Sequence, residues 1–381
     1  MCGSTLMREI GANCSQHKRI VPRRRWWQRY RAVMTGREGA HTAEIPSYRD
    51  YISAELIDHL RSQLIPVPGV DGLLQLGTIG GLESRASLHF LCDLYHAVKL
   101  DLASVLRQRV TDRAFIDQRT RACFELNAKL QVGYGDPAYR TVIGQEDIDG
   151  RMVIGPLNSF YCRAGSGAPI APIPAFLQGS HVTLFGPPDD AKLSINAMNA
   201  FHRTLPGEPG IVAELLKDFS GSAKWGADDE DSKTPLRGDL VLAGENLTGC
   251  LQGTISYDDP RSGKEYRLAA SHRSVPIKRF PGLALPCPFL FLDGNPLPLH
   301  LYDFALHLFA NWNNPQALAF YVPKLETEEE AAYIRVMLER AERLIAARHP
   351  EYRVGTIRLL IVLENPRAMF RVNEIMDALY P

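Results

Sequence analysis

Two charged side chains stand directly after short apolar runs in this sequence. Glu364 follows the largely apolar run from Ile357 to Leu363, and Arg279 closes the stretch that begins at Ser274. If both runs are parallel strands, their carboxyl ends meet at one edge of the sheet, where α/β barrel enzymes keep catalytic and metal-binding groups. Arginine offers a rigid fork for a carboxylate or carbonyl oxygen, and glutamate suits Mg²⁺, which prefers oxygen ligands. Together they indicate a site for a small 2-oxo acid.

Structural interpretations of the same residues stay open. Arg279 precedes the turn Pro281-Gly282, which is typical of a surface position, and Glu364 has the character of a carboxylate at a helix N-terminus, favoured by the helix dipole. The run Asp228-Asp-Glu-Asp231 could supply metal ligands or form a solvated acidic turn, because four consecutive charges cannot all point into one site.

Composition narrows the class of protein. The chain has 381 residues, long enough for a large core, and its 43 basic and 43 acidic residues balance, so no global field favours nucleic acid or an anionic membrane. Its seven cysteines are scattered without a Cys-x-x-Cys spacing, which fits a reducing compartment. No apolar run of about 20 residues and no early apolar core is present. We predict a cytoplasmic protein with neither a nucleic-acid nor a membrane partner.

The first forty residues differ from the rest. They interleave Lys and Arg with Trp26, Trp27 and Tyr30 and contain few acids. Such a segment is typical of a disordered extension, or of leader sequence upstream of a true start at Met34. An arm for an anionic surface and an Arg-rich peptide for organelle import are the alternatives. We predict a disordered extension over residues 1–40.

The middle of the chain contains two segments that differ in composition. Apolar residues at three- and four-residue spacing predict a helix from Ser87 to about Arg119. Glycine and proline dominate from Val132 to Pro174, which indicates a loop-rich connection. We therefore predict an N-terminal helical region and linker over residues 41–172, and a second domain over residues 173–381.

The last third has the clearest pattern. Leu318–Val322 reads as a buried strand, and Thr327 with Glu330 forms a capping box for a helix that runs to about Ala347. Ile357–Leu363 then reads as a second, fully buried strand. This β-α-β pattern predicts a parallel sheet covered by helices.

Further strands are predicted upstream. Lys192–Met198 and Ser274–Arg279 are candidate strands, and residue types alternate about a Pro/Gly turn between Gly253–Tyr257 and Glu265–Leu268. The latter pattern predicts a β-hairpin within an inserted β-rich segment at about 240–272.

Seven segments of the sequence, in order, resemble the malate synthases, in particular the shorter, A-type form of that family. They cover residues 173–381 well and the helical N-terminal region weakly. The segments are Ile173-Pro-Ala with Phe185-Gly-Pro187, Lys192 with Ile195-Asn-Ala-Met-Asn199, Gly253–Tyr257, Tyr302–Leu306, Phe320–Lys324, Gly355–Ile357, and Leu363-Glu-Asn with Phe370 and Asn373-Glu-Ile375.

The resemblance implies a fold and an activity. Family members condense acetyl-CoA with glyoxylate to give malate, using Mg²⁺ in a (β/α)₈ TIM barrel. By resemblance, Arg279 polarises glyoxylate and stabilises the enolate of acetyl-CoA, and Glu364 is one carboxylate ligand of the metal. The acidic segment after the family's second strand corresponds to residues 228–231, which implies that Asp228, Glu230 and Asp231 bind substrate.

The sequence also departs from the family pattern. The usual apolar lead-in to the acidic segment is replaced by Ser222–Gly226, which puts the second barrel strand in doubt. The chain is expected to stop after about the fifth barrel strand, before the second metal-binding aspartate and the aspartate that acts as base. Five strands cannot close a barrel, so apolar edges are predicted to seek a partner or a second copy.

The predicted fold class is therefore α/β, a partial TIM barrel of about five strands with an N-terminal helical region and an inserted β-rich segment. Three functional hypotheses follow. The first is a malate synthase-type acyltransferase that needs the missing part. The second is a non-catalytic remnant or subunit that binds a partner or CoA, and the third is a barrel lyase of the citrate lyase β type. Whether the chain itself is an enzyme stays open.

Overall fold

The computed structural model describes residues 53–157, 171–178, 183–202, 207, 209–217, 223–231 and 236–380. The extension predicted over residues 1–40 lies outside these ranges. Within them the strands are β1 (Ile65–Pro66), β2 (Leu73–Gln75), β3 (Thr183–Gly186), β4 (Lys224–Ala227), β5 (Ser256–Asp258), β6 (Glu265–Arg267), β7 (Val275–Arg279), β8 (Pro286–Leu292), β9 (Asn295–Pro298), β10 (Ala319–Val322) and β11 (Arg358–Ile361). The α-helices are α1 (Ala54–Arg61), α2 (Arg85–Leu130), α3 (Ala191–Met198), α4 (Gly210–Lys217), α5 (Arg237–Gln252), α6 (Leu299–Asn311), α7 (Glu328–Arg348), α8 (Pro366–Met369) and α9 (Val372–Leu379).

The central element is a five-stranded sheet in which every neighbouring pair is parallel. Its strands lie in chain order, β3-β4-β7-β10-β11, and each connection between them contains at least one helix. Parallel strands joined by helical crossovers form an α/β fold, so the predicted class is confirmed. Strands in sequential order are compatible with part of a barrel. None of the described helices is both long and apolar enough to cross a membrane.

The pattern in the last third of the sequence predicted its elements well. β10 lies within Leu318–Val322, and α7 begins after Thr327, whose hydroxyl accepts the amide hydrogen of Glu330. β7 and the hairpin β5–β6 were likewise predicted. β11 falls in the predicted range, but it is an outer strand of the sheet and its side chains are only partly buried.

Three sequence expectations are wrong. Lys192–Met198 is not a strand but lies in helix α3, because the Asp190 carboxylate caps the helix at Leu193 and the buried side chains recur at helical spacing. The doubtful second strand does form: β4 is buried and paired on both sides. The segment predicted to be β-rich begins with helix α5, which ends at Gly253 in the left-handed conformation that favours glycine.

Residues 53–130 do not form a separate helical layer, because they pack and pair with later parts of the chain. Helix α2 runs from Arg85 to Leu130, longer than predicted, and packs against both α6 and α7. β1 and β2 form a four-stranded antiparallel sheet with β8 and β9, in the order β1-β2-β8-β9. β8, which lies between β7 and α6, therefore pairs with residues 73–75. No local sequence pattern predicts this long-range pairing.

Candidate functional site

The carboxyl ends of four parallel strands bring the predicted site residues to one edge of the sheet. Asp228 follows β4 directly, Arg279 is the last residue of β7, and Glu364 stands three residues after β11. Lys324, which the site prediction did not include, stands two residues after β10. Strands that run in parallel end at the same edge, so groups that are far apart in the sequence become neighbours.

Arg279 is the centre of this cluster. Its side chain is 2% exposed, and Nη1 donates to both carboxylate oxygens of Asp228 at 2.6 Å. Nη2 lies 3.1 Å from Glu230 Oε2 and 2.7 Å from Asp231 Oδ2. The acidic run is therefore not simply a solvated turn, because three of its four carboxylates face one buried guanidinium.

The acidic run curls around the arginine for a local reason. Asp228 Oδ1 accepts the amide hydrogens of Glu230 at 2.9 Å and of Asp231 at 3.1 Å, an Asx-type turn that redirects the chain as it leaves β4. Glu230 is also held from the far side, where its Oε2 accepts the amide hydrogen of Gly282 at 2.7 Å. We call residues 228–231 the acidic loop.

Lys324 completes a ring of alternating charges with Glu230, Arg279 and Asp231. Its Nζ lies 2.6 Å from Glu230 Oε1 and 2.8 Å from Asp231 Oδ1, the oxygens that Arg279 leaves free. The Lys324 backbone is left-handed, with φ of 56°, and its amide donates to Glu364 Oε1 at 2.8 Å. Its carbonyl accepts from Arg109 Nη2 of helix α2 at 3.2 Å. Glu364 thus reaches the cluster through the Lys324 backbone.

The ionic contacts keep these groups charged. Burial acts to lower the pKa of Arg279, but its hydrogen bond to Asp228 and the neighbouring carboxylates raise it overall. For Lys324 burial is likewise outweighed by Asp231 and Glu230, which raise its pKa. Burial acts to raise the pKa of Asp231, yet the hydrogen bonds from Lys324 and Arg279 lower it. The site is therefore a permanent array of opposite charges at neutral pH.

Tyr321 of β10 forms the buried side of the site. Its ring packs edge-on against Phe185 with centroids 5.7 Å apart, and the Arg279 guanidinium carbon lies 5.9 Å from its centroid. Burial, followed by the nearby Asp228, raises the pKa of Tyr321 well above its usual range. The phenol keeps its proton and offers the arginine an aromatic surface.

A second ionic cluster lies on the opposite face of the same strand. Successive side chains of a strand point to opposite faces. Lys278 therefore faces helix α6, and Arg279 faces the other three acids of the loop. Lys278 pairs with Asp229 and, at 2.8 Å, with Asp303 of α6. Burial, only partly offset by Lys278, raises the pKa of Asp229 from its ordinary 3.8 to about 7. Burial raises the pKa of Asp303 as well.

The raised pKa of Asp229 predicts a pH dependence of stability. Between pH 4 and 7 the folded protein keeps a proton on Asp229 that the unfolded chain has lost, so the free energy of unfolding falls as pH rises through this window. Burial also raises the pKa of Asp303, and it raises the pKa of Glu328 to about 7, so both residues add to the same slope. We expect Asp229→Asn to flatten the curve of unfolding free energy against pH, measured by urea denaturation from pH 4.5 to 8. A variant with the wild-type slope would contradict the assignment.

Comparison with known proteins shows a partial relationship to the malate synthases. It is 30% identical to the malate synthase of Oryza sativa subsp. japonica over 224 residues, which are 57% of this chain and 35% of the rice protein. It is 32% identical to malate synthase A of Escherichia coli (strain K12) over 212 residues, 54% of this chain and 34% of that protein. The chain is related to the malate synthases. The resemblance inferred from the seven segments is confirmed.

The relationship is partial. The glyoxysomal malate synthase of Ricinus communis aligns over more of the chain, 79%, at 27% identity, but the match still covers 44% of that protein. This chain therefore spans less than half the length of these malate synthases. No protein-family model matches it.

Mg²⁺, expected from the resemblance to malate synthases, does not fit this arrangement as it stands. Among the described residues, no group of three or more His, Cys, Asp or Glu side chains is placed to hold a metal ion. The oxygens of the acidic loop face Arg279 and Lys324, and one oxygen of Glu364 accepts the Lys324 amide. The carboxylates are of the type that Mg²⁺ prefers, but they do not converge. Glu364 as a metal ligand stays a prediction.

Lys324 was missed although a signal for it exists. It ends Phe320–Lys324, one of the segments that resemble the malate synthases, and it follows a strand end as Arg279 and Glu364 do. The strand-end argument applied to every charged residue within three positions of a predicted strand would have found it.

Proposed function

We propose that this chain carries the glyoxylate-binding part of a malate synthase-type site. In this proposal the five parallel strands belong to a (β/α)₈ barrel that further β-α units would complete. The observation that carries the proposal is Arg279 Nε, which is buried and has no hydrogen-bond partner among the described residues. A buried donor without an acceptor costs about 1–3 kcal/mol, and a substrate carboxylate would remove that cost.

The geometry of the guanidinium suggests how glyoxylate would bind. A carboxylate takes an arginine side-on through Nε and Nη2, in two parallel hydrogen bonds. Nε is unpaired, whereas Nη2 contacts Glu230 and Asp231. Glyoxylate would therefore use the free edge of Arg279 and displace at least one carboxylate from Nη2. With its N–H groups engaged by carboxylates, the guanidinium would polarise the aldehyde through its positive charge, which also stabilises negative charge that develops nearby.

The proposed reaction joins two carbon atoms. A base removes a proton from the acetyl methyl group of acetyl-CoA, the resulting enolate attacks the aldehyde carbon of glyoxylate, and water cleaves the thioester to release CoA and malate. This reaction would place the protein in the glyoxylate cycle. We assign Arg279 to polarisation and enolate stabilisation, the acidic loop to the substrate side of the site, and the base to no described residue.

Calorimetric titration of glyoxylate into the purified chain at pH 7.5 tests the proposal. We expect saturable binding, because the carboxylate satisfies Arg279 Nε, and a clear loss of binding for acetaldehyde, which has the aldehyde but no carboxylate. Acetate, with the carboxylate alone, separates anion binding from recognition of the aldehyde. The absence of any glyoxylate binding would contradict the proposal. Thiol release from acetyl-CoA in the presence of glyoxylate and Mg²⁺ then measures turnover.

A non-catalytic subunit is the second candidate, and the sheet edge favours it. Leu360 on the outer strand β11 is 38% exposed, and Met369 and Met376 beyond it are 66% and 45% exposed. Exposed apolar side chains at a sheet edge are typical of a surface that pairs with further protein. A chain that sediments as a dimer or captures CoA, yet binds no glyoxylate, would support this alternative.

A further inference from the structure

We infer that Lys324 is a positioning residue that takes Glu230 and Asp231 over from Arg279 when the arginine binds its substrate. The inference rests on the proposed function and adds to it a residue that neither the resemblance nor the comparisons assign. It begins from the ring of charges: each of the two carboxylates gives one oxygen to Arg279 Nη2 and the other to Lys324 Nζ.

Because of this ring, a substrate carboxylate must compete with Glu230 and Asp231 for Arg279. Nη2 of Arg279 has two hydrogens, and both have carboxylate partners in the absence of substrate. A carboxylate that enters at Nε needs one of these hydrogens, so Glu230 or Asp231 must turn away. Glu230 is 10% exposed and cannot turn to water. Without another cation, its release would leave a buried charge unpaired, which is costly.

Lys324 is suited to accept the released carboxylates. An ammonium group is a point charge with three donors that turn freely, so it does not demand the planar geometry that arginine does. Its side chain is 39% exposed, so the ammonium is not enclosed by packing on every side. The cation is already within 2.8 Å of each of them.

The backbone of Lys324 is fixed independently of the ring. Its amide is held by Glu364 and its carbonyl by Arg109, and Arg109 in turn forms two hydrogen bonds of 2.7 and 2.8 Å to Glu330 of helix α7. These contacts hold a backbone with φ of 56°, which a lysine rarely adopts unaided. The ammonium therefore remains in place when Arg279 lets go.

Lys324→Met is the first test. We expect glyoxylate binding to weaken by about 10- to 100-fold in calorimetry, because Glu230 and Asp231 then stay on Arg279. Lys324→Arg, which keeps the charge, should recover most of the affinity. Lys99→Met is the matched control, since Lys99 of helix α2 is 35% exposed and pairs with Asp293, and the variant should bind as the wild type does. A Lys324→Met variant with wild-type affinity would overturn the inference while leaving the proposed function intact.

A second substitution separates competition from a merely structural role. Asp231→Asn removes one competing charge, and in the Lys324→Met background we expect it to restore about tenfold in affinity. A structural defect would not be repaired by losing a further ionic contact, so failure of this rescue would also overturn the inference. If Lys324→Met does not fold, Asp231→Asn alone tests the inference. The Asp231 side chain is 53% exposed, and the variant should bind glyoxylate more tightly than the wild type. A wild-type chain that binds no glyoxylate would refute function and inference together.

Discussion

Replacing Arg279 by methionine is expected to abolish glyoxylate binding and to lower the free energy of unfolding by about 3–5 kcal/mol. The binding loss follows from the removal of the only group assigned to the substrate carboxylate. The stability loss follows because Asp228, whose side chain is 8% exposed, would lose both of its 2.6 Å hydrogen bonds and its partner cation in a buried position. Calorimetry with glyoxylate and urea denaturation at pH 7.5 measure the two effects.

Arg279→Lys separates the two effects. Lysine restores a cation to the acidic loop, so most of the stability should return, but it lacks the fork that binds a carboxylate side-on, so binding should not. In a form of the protein that makes malate, activity should be lost in both variants. Undiminished glyoxylate binding or malate formation by Arg279→Met would remove this residue from its assigned role.

Lys278→Met is expected to be the most damaging substitution on the other face of β7, at a cost of about 3–5 kcal/mol at pH 8. Its side chain is 2% exposed, and its removal leaves Asp229 and Asp303 as neighbouring carboxylates with no ammonium between them. Because both can take up a proton as pH falls, the cost should shrink between pH 8 and 5. Urea denaturation at the two pH values measures the difference.

Two controls accompany the Lys278 experiment. Lys99→Met breaks an exposed lysine–aspartate pair and should cost about 1 kcal/mol or less at either pH. Adding Asp303→Asn to Lys278→Met removes one of the repelling carboxylates and should recover part of the stability at pH 8. A cost that is small, or that does not change with pH, would mean that the buried carboxylates were already neutral.

The elements that the sequence predicts are those with strong local patterns. The capped, amphipathic helix α7 between two apolar runs allowed β10 and β11 to be recognised. β4 did not follow from its sequence, because Lys224-Trp-Gly-Ala has no strand pattern. Its Lys224 is buried with Nζ hydrogen-bonded to the carbonyls of Phe176 and Gln178 at 3.1 and 3.2 Å, and such partners belong to the tertiary fold.

The site shows the same difference between what local patterns predict and what tertiary contacts determine. Strand ends predicted that Arg279 and Glu364 share one edge of the sheet, and the resemblance added the acidic loop. The end of β10 would place Lys324 at this edge as well, but its local sequence does not predict the left-handed backbone, whose carbonyl accepts a hydrogen bond from Arg109, 215 residues away. Nor does spacing reveal that Glu364 contacts a backbone amide of the neighbouring connection.

The two ionic clusters also specify how β4 and β7 align. Ala227 pairs with Lys278 in the sheet, so the next residues, Asp228 and Asp229, meet Arg279 and Lys278 on opposite faces. A slip of one residue would turn each acid to the other face, which would separate Asp228 from Arg279 and Asp229 from Lys278 and Asp303. The contacts on the two faces therefore favour the observed alignment of these strands.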